Sequence, residues 1–163
     1  MASSEAAIHE IVAAAAEPYL AAVVAQLVAD GVPAAGSSIP PDPSPDDFDG
    51  EADGSIDIPD GFTTRHYGPD LEELGLWWNS VSGWRVHTQY IPAEPRPGDG
   101  RQWMGAGLLP PPARVSAFLA TMMVDYTMSG SPERPFYRRQ GDKVPELLER
   151  LRVYGQAAPP AQP

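Results

Sequence analysis

Five carboxylates in "DGEADGSIDIPD", residues 49–60, have the spacing that a hard divalent cation needs. Set against a twelve-residue EF-hand loop, Asp49, Glu51, Asp53, Asp57 and Asp60 occupy positions 1, 3, 5, 9 and 12. Gly54 takes the turn position, and Ile56 the usual apolar one. Calcium is therefore the one cofactor the sequence suggests, with those five residues as candidate ligands. Glu51 is long for its place, Asp60 is short for a bidentate ligand, and Pro59 interferes with a flanking helix. A solvated acidic loop generates the same match.

The second group is aromatic and cationic. "LWWNSVSGWRVHTQY", residues 76–90, holds three of the four tryptophans. Read as a hairpin turning at Ser80-Val81-Ser82-Gly83, with Trp78 opposite Val86 and Trp77 opposite His87, it has two faces. Leu74, Leu76, Trp78, Trp84, Val86 and Tyr90 form a core face. Trp77, Asn79, Arg85, His87 and Gln89 form the other, with Trp103 of the next strand placed outward beside Trp77. Exposed aromatics with an arginine are the composition of interface hot spots. Trp77, Arg85, His87, Gln89 and Trp103 are thus candidate partner-binding residues. The alternative is that the C-terminal helix covers this face with Leu147, Leu148 and Leu151.

Catalytic patterns are missing from the sequence. His9, His66 and His87 are scattered, each without a sequence-identifiable partner for general base work. There is no G-x-S-x-G, Walker loop, G-x-G-x-x-G or H-x-x-x-H. The stretch "ERPFYRRQGDK", residues 133–143, sets Arg134, Arg138, Arg139 and Lys143 around Phe136 and Tyr137. It suits an acidic partner or RNA, or else it answers the protein's own acidic loop.

The elements that must position these groups follow from periodicity and composition. The chain has 163 residues, 20 prolines, 15 glycines, no cysteine and a net charge of −11. The charge argues against a general nucleic-acid binder, and the missing thiols exclude a disulfide scaffold and a cysteine nucleophile. Residues 5–30 read as a helix running through Pro18, with Tyr19, Leu20, Val23, Val24, Leu27 and Val28 as its stripe. Its glutamates and the lack of a basic start argue against a signal peptide or membrane span, so a cytoplasmic protein is expected. Residues 32–55 read as an acidic, Pro-rich loop, with eight acidic and no basic residues between Asp42 and Asp60. A short strand is expected at "SIDIP", a helical turn capped by Asp70, the hairpin, and a further strand at "RQWMGAGLL", residues 101–109. Helices are predicted over 112–128 and from about 145 to 154, followed by a disordered tail at 156–163.

This gives an α+β domain: a small antiparallel sheet of three to four strands with helices packed mainly on one face. The expected organisation is an N-terminal core helix (1–31), the acidic loop (32–55), sheet plus helix (56–130) and a C-terminal extension (131–155). "PYLAAVVAQL", "LWWNSVSGW" and "GLLPPPARVSAFLATMM" together resemble a small actinobacterial domain family of unknown function, with a Pro-Tyr helix, a Trp-x4-Gly-Trp hairpin and a Pro-led Ala-Phe helix. The likeness covers residues 17–128. The acidic insertion and the segment beyond 130 depart from the pattern. The resemblance implies a soluble bacterial protein and no particular activity. A non-catalytic protein-interaction or regulatory accessory module is the expected function. A small-molecule or calcium-binding domain, or an enzyme with an unrecognised site, is the alternative, and an acidic nucleic-acid mimic the third reading.

Overall fold

The computed structural model describes residues 2–40, 50–67, 71–90, 100–124 and 130–156. In chain order the elements are α1 (Ala2–Ala29), β1 (Gly36–Ser38), β2 (Asp53–Asp57), α2 (Asp60–Tyr67), β3 (Leu71–Asn79), β4 (Gly83–Tyr90), β5 (Gly100–Trp103), α3 (Pro112–Val124) and α4 (Val144–Gln156). The strands form one antiparallel sheet in the order β1-β2-β3-β4-β5. The class is α+β, as expected, with five strands rather than three to four. The added strand, Gly36-Ser37-Ser38, has no apolar alternation for a sequence reading to detect; it forms by backbone pairing with β2.

Helix α1 lies across the inner face of the sheet, and α3 and α4 pack against it. Val12, Ala16, Tyr19, Leu20, Val23 and Leu27 of α1 are buried against Leu76, Trp78, Trp84 and Val86. Val28, expected in the same stripe, is 53 % exposed, because it lies at the stripe's outer edge, about 100° around the helix from the fully buried Leu27. α1 runs unbroken through Pro18. By length and composition Ser4–Ala29 is apolar enough to cross a membrane, although Glu5, Glu10 and Glu17 interrupt it, and its apolar stripe is packed in the domain core.

Two tryptophans join the layers through hydrogen bonds as well as area. Trp84 Nε1 donates to the Tyr19 hydroxyl (2.9 Å), which donates to the Pro110 carbonyl (2.6 Å). Trp78 Nε1 donates to the Leu108 carbonyl (2.8 Å). Each indole thus buries its rings with its single donor satisfied. Burial pushes the Tyr19 hydroxyl pKa well above its usual value, so it stays protonated.

The hairpin has the three-residue loop Ser80-Val81-Ser82, with Asn79 opposite Gly83 and Trp78 opposite Trp84. The expected pairs, Trp78 with Val86 and Trp77 with His87, are therefore displaced by one pair. The face assignment survives because both registers put residues of the same parity together. Asn79 Oδ1 accepts from Val81 N (2.8 Å) and Ser82 N (3.0 Å), which sets the turn one residue earlier than the serines suggested.

Four further expectations are corrected. The acidic loop is structured at both ends: Val32, Ala34, Glu51, Ala52 and Asp53 are buried. The helical turn precedes β3 as α2, while Asp70 lies outside the described residues. β5 ends at Trp103 because Gly105 (φ +71°) and Gly107 (φ +87°) turn the chain away. Gln156 still belongs to α4, and the rest of the tail lies outside the described residues.

Candidate functional site

On the outer face of the sheet the strand registers align one continuous row: Ser38, Ser55, Trp77, Arg85, Trp103 and, through an isolated bridge, Ser131. The Arg85 guanidinium sits between two indoles, 5.6 Å from the Trp77 ring centre and 5.4 Å from that of Trp103. Arg134 continues the alternation, 5.7 Å from Trp103 and 4.8 Å from Phe136. Cation–π contacts of this kind strengthen as water is excluded, and here Arg85 is 6 % and Trp103 4 % exposed. Trp77 leans over Gly75, where any Cβ would collide with its pyrrole ring. Trp77 and His87 are partly buried.

What covers this face is the strap formed by residues 130–143, joining α3 to α4. Ser131 and Trp103 exchange both backbone hydrogen bonds (2.7 and 2.9 Å). Arg134 Nε donates to Ser82 Oγ (2.7 Å), and Tyr137 N donates to the Val81 carbonyl (3.0 Å), tying the strap to the hairpin turn. The alternative cover expected from the sequence, Leu147, Leu148 and Leu151, is corrected: α4 turns these residues toward α1, where Leu147 and Leu151 are buried and the Tyr154 ring packs at a tilt against Tyr19, 4.8 Å between centres.

The strap is pinned by a buried ion pair. Arg138 Nη1 donates to Glu51 Oε2 (2.5 Å) and Nη2 to Oε1 (2.9 Å), with side chains 3 % and 2 % exposed. Glu51 also accepts from Ser80 Oγ (3.0 Å) and Gly141 N (2.5 Å). Arg138 further donates to the Ser80 carbonyl (3.1 Å) and, from Nε and Nη2, to the Asp142 carbonyl. Burial pushes the Glu51 carboxyl up, but the Arg138 hydrogen bonds, the Gly141 N–H and the Arg138 charge outweigh it and hold the group below its usual range. Two charges this deep are tolerated because nearly every donor and acceptor is matched. His9 Nδ1–H closes the cluster from α1, donating to the Glu51 carbonyl at 2.5 Å.

The candidate metal ligands do not converge. Asp49 lies outside the described residues. Glu51 is taken by Arg138, Asp53 and Asp57 are four residues apart on β2, and Asp60 opens α2. Over Asp53–Asp57 the backbone is extended, and a strand spreads its carboxylates along one line, whereas a calcium loop folds them inward. Among the described residues no three His, Asp or Glu side chains gather as a metal site would require.

The partner-face residues fare differently. Trp77, Arg85, His87 and Trp103 share the outer face, as expected, but Arg85 and Trp103 are beneath the strap rather than open to a partner. Gln89 is in β4, with its side chain outside the described set. Sequence reasoning missed Ser80, Gly141 and the pairing of Arg138 with Glu51. The last spans 87 positions, and its only sequence signal was the opposite charge of the two segments. No protein-family model, curated protein or solved structure matches the chain.

Proposed function

We propose that this chain is a non-catalytic protein-interaction or regulatory accessory module, with the outer hairpin face and the strap above it as the docking surface. The observation that carries this reading is a pair of solvent-facing aromatics on a firmly tethered segment: Phe136 is 63 % and Tyr137 39 % exposed, directly beside the buried Arg138–Glu51 pair. A rigid exposed aromatic loses little conformational freedom on binding and hides a large apolar area. Trp77 and His87, both partly buried, extend the surface along the sheet, with Arg85 and Trp103 as the buried layer that supports it. The net charge of −11 supports a protein rather than a nucleic-acid partner. The packing of α1's apolar stripe into the core supports a setting outside the membrane, and a cytoplasmic, bacterial one is part of the same proposal.

The test is an affinity capture from bacterial lysate with wild type, Trp77→Ala, and the double variant Phe136→Ala/Tyr137→Ala, after circular dichroism establishes that all three fold. A specific partner held by wild type and lost from the double variant is expected. Capture of the same proteins by all three, or of none, refutes the proposal.

A further inference from the structure

The strap carries a charge asymmetry that narrows the partner's chemistry. Residues 131–163 hold six basic and four acidic side chains in a chain of net charge −11. Within the strap the cations have different fates. Arg138 is spent on Glu51, and Arg134 is stacked between Trp103 and Phe136. Arg139 and Lys143 are exposed, and among the described residues neither side chain makes a hydrogen bond or ion pair. Arg139 lines, with Phe136, Tyr137, Gln140 and the single acidic residue Asp142, an open concavity of about 940 Å³ along the strap.

Lys143, the next residue beyond that concavity, has φ +52°, the sole non-glycine in the left-handed region among the described residues. A lysine there strains the backbone, where glycine would not. Retained strain at a surface position is what a functional side chain would leave behind.

Resting on the interaction reading above, we infer that the strap receives an acidic peptide segment bearing one apolar side chain. Its carboxylates lie on Arg139 and Lys143, and its apolar group packs on Phe136 and Tyr137. The two unspent cations match a short run of carboxylates. They are too few for a phosphate backbone, whose binding requires a broad basic stripe and which this chain's net charge repels. The wrapping of residues 137–142 around the Arg138 guanidinium sets the surface before the partner arrives, so little ordering entropy remains.

The experiment is fluorescence anisotropy of the full chain with a labelled nonapeptide of alternating glutamate and aspartate around one central leucine. The same peptide with glutamine and asparagine, and an oligouridine, are the comparison probes. The acidic peptide binds and the neutral one binds about tenfold or more weakly. Arg139→Glu/Lys143→Glu abolishes binding, Phe136→Ala weakens it about tenfold, and Lys143→Gly weakens it while raising Tm. Salt is not the readout, because it screens the local attraction and the overall repulsion together. Equal binding of acidic and neutral peptides, wild-type affinity in the charge-reversed variant, or tighter binding of oligouridine overturns the inference. A lysate partner lost from Phe136→Ala/Tyr137→Ala but kept by the charge-reversed variant also overturns it and leaves the interaction module standing.

Discussion

Gly83 has φ +74°, and a Cβ there would run into the Gly107 carbonyl oxygen. Both the turn and the close passage of the β5–α3 connection demand glycine. Gly83→Ala should therefore destabilise the domain by roughly 2–4 kcal/mol, combining a left-handed penalty with overpacking, measured as a fall in the urea midpoint. A cost near that of an ordinary surface change would mean that the connection yields. Lys143 is the opposite case, since glycine there relieves strain at no steric cost and should stabilise by up to about 1 kcal/mol. Gly83 was legible, because the hairpin loop needs a left-handed residue at its end. The strain at Lys143 was not, because no local pattern places a lysine there.

At the scale of elements, the buried ion pair tethers the strap, beside its hydrogen bonds to Trp103, Ser82 and Val81. Arg138→Ala leaves the Glu51 carboxylate buried and uncompensated, at a cost of roughly 3–5 kcal/mol. The strap should then open first, with amides of 131–143 exchanging quickly while those of β3 and β4 stay protected. Hydrogen exchange with a parallel urea titration measures both, and unchanged protection of the strap would show that its hydrogen bonds to Trp103, Ser82 and Val81 suffice without the ion pair. The helices themselves were legible. Within the helix predicted over 112–128, Val115, Phe118, Leu119 and Met122 recur at i, i+3, i+4 and i+7 and are buried together. The target of each helix was not legible: α4 has one apolar stripe, and nothing in that stripe says whether it meets the outer sheet face or α1.

For the molecule as a whole, acid should act through the same pair. The Glu51 carboxyl is held below its usual range in the folded state. Its contribution is fully present above the unfolded pKa, about 4.3 for glutamate, and is lost as pH falls through the lower folded value. Between pH 7 and pH 3, wild type should lose more stability than Glu51→Gln, whose side chain does not titrate. The urea midpoint of both proteins followed across that range checks this, and parallel curves would mean that other carboxylates dominate. Asp30, whose pKa is lowered by its Ser116 and then its Gln26 hydrogen bond, is exposed and sets only how α1 meets α3.

The sequence by itself determined the α+β class, the inward turn of Trp78 and Trp84, and the shared outer face of Trp77, Arg85, His87 and Trp103, because side-chain periodicity is a local property of helix and strand. It also carried the complementary charges of the 42–60 and 133–143 segments, without saying which residues would meet. Only the tertiary structure decided that Glu51 serves Arg138 rather than a cation, that β1 completes the sheet, and that the strap, not α4, covers Arg85 and Trp103. These are contacts between residues far apart in the chain, chosen by three-dimensional fit and by the cost of burying an unmatched charge, and neither leaves a mark on local spacing.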